Sequence, residues 1–467
     1  MNLRLILGAV AGVLALGVLV LIFSGDARRA AELKAVEAIG EVAIARMAES
    51  SDGGDRAASF TEIPIEVRKL ADNVYQARGI ANTQLIATSE GNVLFDTGLS
   101  LQVPKQKRLL KAAAPDVPLT HIIVSHSHAD HMGGVKFWVE DGTEVIAHQE
   151  YSEEQRYLTE LQPYLHFRNR TLFPFLPEEV PSIGLIAYGG VEPTRVVRNG
   201  EPYVFELGGT RFEVLAAPGA EGADNIVLWL PDQKIFFSGD FFGPLYPQFP
   251  NIFTMRGEKI RKPIEYIRSL NEVIALAPEM IVPSHKDPIV GKEKIMEGLV
   301  RMRDAVQYVH DQTVAGMNAG KTVYELMEEI QLPPQLALNQ AHGRVSWGVK
   351  SIWEYYATWF HFDRTTELYP VSPWDVYPEV VELAGIDALV ARANAHIEAG
   401  RPVHALHLLE IALGPDGSHA AALQARRAAL EILLEEAEVG LKNAYEIDWL
   451  KFRLRDTDEK LGAGGDA

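Results

Sequence analysis

Residues Val124 to Gly134 read VSHSHADHMGG, and six of those positions hold three histidines and an aspartate: His126, His128, Asp130 and His131. Imidazole nitrogen and carboxylate oxygen are ligands for zinc-like divalent cations. His126 and His128 alternate, so on an extended segment they point to one side and can grip the same ion. Asp130 and His131 follow where the chain bends and do not easily reach that ion as well. The residue types suit two neighbouring cations of mixed nitrogen and oxygen ligation, yet four side chains cannot complete two coordination shells. The remaining ligands must come from elsewhere in the chain. A lone histidine is usually a satisfied core residue, but four ligand types packed behind the apolar run HIIV are not explained that way. A closed structural zinc site would draw on cysteines, and the chain has none. That absence also removes disulfides and leaves imidazole and carboxylate as the strong ligands.

The elements that must position these groups are short. From about Thr61, β-rich runs are separated by turns: NVYQARG, TQLIAT, NVLFDTG and THIIVSH, with SEGN as a hairpin turn between the second and third. Helical patterning over Val103 to Ala114 is followed by a strand, EVIAH. FEVLAAPG, NIVLWLPDQKIFFSGD and MIVPSH come later, with the helix IEYIRSLNEVIALA ahead of the last. Strands interspersed with helices predict an α/β domain over 61–300.

Beyond Lys292 the pattern is largely helical. HDQTVAGMNAGKTVYELMEEIQLP predicts two short helices around a glycine turn, and GVKSIWEYYATWFHF one aromatic helix. The stretch from Ile386 predicts three helices broken at AG and GPDG, a tetratricopeptide-like pair with a capping helix. A helical domain over 301–440 and a tail over 441–467 complete this half.

The chain's 467 residues are too many for one compact core. Its formal net charge of −19 excludes nucleic acid as a partner and gives an anionic substrate no bulk attraction, so an anion needs a local arginine. Leu5 to Phe23 is an uncharged apolar run. As a helix at ~1.5 Å per residue it reaches about 29 Å, near the ~30 Å hydrocarbon core of a bilayer. Residues 1–24 are therefore expected to form a signal anchor or signal peptide, placing the rest in the periplasm or otherwise outside the cytoplasm. Residues 25–60 are expected to be an Ala/Glu-rich helix and a flexible linker, ESSDGGDRAASF.

HSHADH with GG behind it resembles the HxHxDH signature of the metallo-β-lactamase superfamily, and the resemblance runs from about Val67 to Lys292. It implies an αβ/βα sandwich. VLFDTG, with Asp96, is similar to the family's strand ahead of the metal loop. KIFFSGD and IVPSH are similar to the segments that supply a bridging aspartate, Asp240, and a last histidine, His285. Many members place a third histidine after a PG turn. Here APGAEGADN offers Glu221, and that substitution resembles the alkylsulfatase branch. The resemblance implies His126, His128 and Glu221 on one ion, Asp130, His131 and His285 on the other, and Asp240 between them, with Asp130 and Asp240 counted as catalytic. It implies two Zn²⁺, with Mn²⁺ or Fe²⁺ as alternatives because a carboxylate favours a harder metal.

FTMRG resembles the branch's sulfate-binding segment and makes Arg256 the candidate for an anionic ester. HDQTVAGMNAGKTVYELMEEIQLP resembles the opening of its dimerisation domain, which implies a homodimer. VSWG and FDRTTELYP depart from the branch, and the tail after 440 is read without its sterol-carrier-like domain. The expected activity is metal-dependent hydrolysis of alkyl sulfate esters. A hydrolase of another ester, lactone or lactam is the alternative, and a non-catalytic scaffold the third reading. FPFLP, LYPQFPNIF and SIWEYYATWF are the candidate lining of an apolar groove for the alkyl tail.

Overall fold

The structure, a computed structural model, describes residues 25–49, 62–176, 178, 192–259, 261–414 and 417–463. The apolar run Leu5–Phe23 and most of the expected linker lie outside these residues. Among the described residues, no helix is long and apolar enough to cross a membrane.

Two mixed sheets form the first half. One has seven strands in chain order: β1 (Val67–Ala71), β2 (Val74–Ala77), β3 (Thr83–Ala87), β4 (Asn92–Phe95), β5 (Leu119–Ile123), β6 (Glu144–His148) and β7 (Arg195–Val197). The first four pair antiparallel, and β4 to β7 are parallel. The other sheet comprises β8 (Tyr203–Leu207), β9 (Thr210–Ala216), β10 (Ile226–Leu230), β11 (Ile235–Gly239), β12 (Met280–Pro283) and β13 (Ile289–Val290), in the order β13-β12-β11-β10-β9-β8. Its parallel pair is β11 with β12.

Alternation along each strand explains the layering. On β4, Val93 and Phe95 enter the core between the sheets with Ile123, Phe212, Leu228 and Phe237, while Leu94 faces the opposite way. That outer face is covered by α1 (Gly25–Glu49) and α2 (Val103–Ala113), through Val36, Val103 and Leu110. Strands buried on both faces must be apolar at nearly every position, as NVLF, IVLWL and IFFSG are. Each fully buried large apolar side chain contributes roughly 1.5–3 kcal/mol. Short helices α3 (Ala129–Met132) and α4 (Val135–Trp138) follow β5, and α5 (Tyr151–Glu160) and α6 (Gln162–Leu172) follow β6. Helix α7 (Pro263–Leu276) precedes β12.

The remaining elements are helical: α8 (Lys292–Asn318), α9 (Val323–Glu329), α10 (Val345–Ala357), α11 (Pro373–Ala384), α12 (Ile386–Glu398), α13 (Pro402–Leu413), α14 (Ala420–Val439) and α15 (Ala444–Ala463). Local chemistry sets their ends. Thr322 and Glu325 form a capping box on α9, and Ser372 with Asp375 does the same for α11 behind Pro373. Helices α12, α13 and α14 share one core of Leu389, Ala393, Leu409 and Leu423, matching the three helices expected from their spacing.

The chain divides into two compact units, and the division differs from the expected boundaries. Among the described residues, the first comprises those within 25–166, 174–244 and 264–299; the second takes those within 167–173 and 245–263 together with 300–463. Three local expectations are corrected. HDQTVAG is the end of one 27-residue helix, α8, because the buried apolar spacing Ile295, Leu299, Met302, Val306 and Val309 runs straight into it. The aromatic helix stops at Ala357, where Thr358 takes a left-handed φ of 64°, so Trp359 and Phe360 lie outside it. Residues after 440 are mostly helix α15, packed on α14 through Leu430, Ala437 and Leu450.

Candidate metal centre

Seven side chains converge in the first unit from the loops that end its strands. His126 and His128 lie on the turn after β5, and His128 caps α3, its carbonyl accepting from the N–H groups of His131 and Met132. This bend starts the short helix that carries Asp130 and His131. Glu221 lies on the loop before β10, which is tied to the metal loop by Ile226 N–H donating to the Ser125 carbonyl. Asp240 follows β11 and His285 follows β12, adjacent parallel strands.

Ligand atoms fall into three groups: His126, His128 and Glu221; His126, His131 and Asp240; Asp130, His131 and His285. Within each group they lie within 4.8 Å of one another. The first and third are the two ligand sets that the resemblance implied, and the middle one joins Asp240 to a histidine from each. His131 Nε2 is 3.5 Å from Asp130 Oδ2 and 3.5 Å from Asp240 Oδ2. His285 Nε2 is 3.5 Å from Asp130 and 3.1 Å from Asp240, and His128 Nδ1 is 3.6 Å from Glu221. Ligands about 2.1 Å from a tetrahedral cation stand about 3.4 Å apart, so most of these spacings fit shared ions better than hydrogen bonds. His131 Nε2 and Asp240 Oδ1 are buried without a hydrogen bond, a costly state for two polar atoms unless a ligand satisfies them. The residues present fit divalent metal.

Charge tells the same story. Burial opposes the charged form of His131, but Asp130, Asp240 and Asp96 outweigh it and hold the imidazole well above its usual value. His285 is likewise carried, against burial, up to about 9 by Asp240 and Asp130. Asp130 and Asp240 are held below the carboxylate range against burial, Asp130 first by His131 and Asp240 first by His285. His126 is pushed well below its usual value by burial and then by His131 and His128. Bound cations would take the place of these protons and release them.

Ring orientation is fixed by groups that lie behind the ligands. Asp96, fully buried with φ 56°, accepts from His131 Nδ1 at 2.9 Å, from Ser125 Oγ at 2.9 Å and from Ser284 Oγ at 2.5 Å. Ser125 Oγ spends its proton on Asp96, so it accepts from His126 Nδ1 at 2.9 Å. His285 Nδ1 donates to the Ile80 carbonyl at 2.6 Å. Each contact directs Nε2 at the centre. Sequence reasoning marks Asp96 but misses Ser125, Ser284 and Ile80. A signal for the serines exists, because each immediately precedes a ligand histidine. Asp224 is also missed; burial and then Glu154 push its carboxyl up to about 7.

Arg256 belongs to the second unit, where its Nη2 is 3.1 Å from Glu258. Its carbonyl and that of Met255 accept from Arg168, a residue that sequence reasoning passes over. Arg344 pairs with Glu446 at 2.6 Å. His148 is buried and bonded to Asn199 at 3.0 Å, a structural role. Phe175, Phe249 and Ile252 are buried in the core, whereas Phe253 is 42% exposed. Much of the expected groove lining is therefore packing.

A metallo-beta-lactamase superfamily model matches residues 77–285, and an alkyl sulfatase dimerisation model matches residues 322–451. A linear primary-alkylsulfatase of Pseudomonas sp. (strain ATCC 19151) is 30% identical over 338 residues, covering 67% of this chain and 63% of that protein. An alkyl/aryl-sulfatase of Saccharomyces cerevisiae is 26% identical over 417 residues, covering 82% of this chain and 63% of that one. The chain thus spans 63% of the length of each of these relatives. Among solved structures, a stereoselective inverting sec-alkylsulfatase from Pseudomonas sp. aligns with a TM-score of 0.71 at 20% identity, covering 83% of this chain and 66% of that chain. That likeness establishes the fold, an αβ/βα sandwich followed by a helical region.

Proposed function

From the chain's membership of the metallo-beta-lactamase superfamily we propose that it is a binuclear metal-dependent hydrolase of alkyl sulfate esters. The observation that carries this reading is the convergence of seven ligand side chains into two sets joined through Asp240. His126, His128 and Glu221 would hold one divalent cation, and Asp130, His131 and His285 the other. Divalent cations held by these residues would supply an acidified water and offset charge on an ester oxygen as it develops. Asp240, 3.5 Å from His131 and 3.1 Å from His285, stands between the two sets and can orient the attacking water. Asp130 stands 3.5 Å from both imidazoles, and the same electrostatics that hold it ionised keep its carboxylate available to a cation and to the attacking water. Glu221 adds negative charge to its ion. Zinc is the first choice, and Mn²⁺ or Fe²⁺ remain compatible.

The substrate half rests on the named activities of the relatives and on Arg256. A sulfate monoester spreads one charge over three oxygens, which a planar guanidinium matches. Binding would share or exchange the Arg256–Glu258 pair. Burial of Phe249 and Ile252 favours a second reading on the same metal site, hydrolysis of another ester, a lactone or a lactam. We also place the protein outside the cytoplasm, tethered by Leu5–Phe23, and as a homodimer through residues 322–451.

The test compares dodecyl sulfate with a neutral ester, a lactone and a β-lactam, for wild type and Arg256→Ala. Sulfate turnover that is lost selectively in the variant, by about 1.5–3 kcal/mol with metal content unchanged, is the expected result. Equal loss on every substrate returns Arg256 to a structural role. No sulfate turnover in the wild type promotes the second reading.

A further inference from the structure

His285 is the ligand histidine whose Nδ1 is held by a backbone carbonyl, that of Ile80 at 2.6 Å. A carbonyl orients an imidazole only as well as its own loop is fixed, and the loop Arg78–Asn82 belongs to no strand. Three buried amide side chains help to fix it, and a fourth, Gln84, ties the next strand to the segment that carries His285. Gln102 Oε1 accepts from Ile80 N–H at 2.7 Å. Gln106 Nε2 donates to the carbonyls of Arg78 at 3.2 Å and Ala81 at 3.1 Å. From the far side, Asn82 Nδ2 donates to Lys286 O at 2.9 Å, and Gln84 Nε2 to Pro283 O at 3.2 Å. All four are at most 2% exposed.

Two further observations point the same way. Gln102 occupies the N-cap of α2 yet makes no side-chain cap bond, because its amide is spent on Ile80. Glycines make room for the amides: a Cβ at Gly79 would meet Gln106 Nε2 at 2.5 Å and Gln102 Oε1 at 2.8 Å, and one at Gly98 would meet Gln106 Oε1 at 2.2 Å. On the other side of the ring, Lys286 adopts a left-handed φ of 63° that its bond to Asn82 helps to hold.

We propose that Gln102 and Gln106 are positioning residues that clamp the Arg78–Asn82 loop and, through the Ile80 carbonyl, set the ring of His285 for the cation it shares with Asp130 and His131. The inference rests on the two-cation reading above. It divides the labour between the glutamines: Gln102 acts as an acceptor, Gln106 as a double donor. Glutamate can replace the first function and methionine can replace neither.

The experiment measures uptake of Co²⁺ alone by the full chain in detergent, following stoichiometry, the affinity of each ion and the visible d–d bands. Circular dichroism and thermal melting run in parallel. The variants are Gln102→Met, Gln106→Met, Gln102→Glu and Gly79→Ala, the last keeping both amides but displacing their ends by a methyl. The two methionine variants and Gly79→Ala should lose at least tenfold in affinity for one ion, keep the other, and shift the cobalt bands, while Gln102→Glu restores wild-type binding. Folded variants that bind both ions as wild type does would overturn the clamp alone. Loss of both ions together with loss of the cooperative melt would make these amides fold-holding groups and overturn it too. A wild type that takes up fewer than two ions overturns the clamp and the two-cation reading together.

Discussion

Glu221 is the residue on which the coordination chemistry turns. It is 6% exposed and stands 3.6 Å from His128. An oxygen ligand there adds charge and hardness that imidazole would not. Glu221→Ala should leave one cation position empty and lower hydrolysis by more than the ~10–100-fold typical of losing an outer partner of a ligand. Glu221→His should keep both ions, since it replaces one ligand by another. Metal analysis alongside steady-state rates decides this, and an alanine variant with two ions and full rate would remove Glu221 from the centre.

Among the elements, the metal loop and its two short helices depend on how closely they approach the strand before them. Thr97 N–H and Oγ both donate to the His131 carbonyl, at 2.7 and 2.6 Å, pinning α3 to the end of β4. Gly134 permits that approach, because a Cβ there would meet the Thr97 carbonyl at 2.3 Å and Val103 Cγ2 at 2.6 Å. Neither neighbour can yield easily, one being backbone and the other a core side chain. Gly134→Ala should therefore destabilise the fold by about 1–3 kcal/mol, the usual range for overpacking. It should also weaken metal uptake, since Asp96 and His131 ride on the two segments pushed apart. Denaturant unfolding with and without metal checks both halves. An unchanged midpoint would mean that the loop is not held by this contact.

At the scale of the whole molecule, the helical segment carries apolar side chains that its own unit leaves in solvent. Trp359 is 71% exposed, Phe362 88%, Tyr369 61% and Leu383 88%, all inside the segment matched by the dimerisation model. Large aromatic rings each bury roughly 150–250 Å² when covered, enough to shape an interface. Sedimentation of the detergent-solubilised chain should show a dimer at micromolar concentration. Trp359→Ser with Phe362→Ser should weaken it at least tenfold, about 1.4 kcal/mol, with metal content unchanged. A wild-type monomer would remove the dimer from the proposal. In isolated membranes before detergent is added, alkaline carbonate should leave the full chain in the pellet but release a chain starting at Ala30. Release of both would remove the tether.

Several features are legible along the chain because they depend on near neighbours. Runs of apolar or alternating residues between turns specify strands, so β2 to β6 and β9 to β12 can be read from residue order alone. The density of HSHADH marks His126, His128, Asp130 and His131 as candidate ligands, because metal chemistry restricts residue type, whereas Glu221, Asp240 and His285 are legible only through the family resemblance. What tertiary structure alone decided is which atoms face each other across more than a hundred residues. Ser284 reaches Asp96 across 188 positions, and His285 reaches Ile80 across 205. Polar groups of that kind carry no local period, and a buried glutamine such as Gln106 looks like any surface glutamine until the backbone that it satisfies is brought to it. The same applies to the assignment of 245–263 to the second unit, and to Phe249 and Ile252 as core rather than groove. Apolar residue type states that a side chain prefers to leave water, whereas the packing of distant segments decides against what.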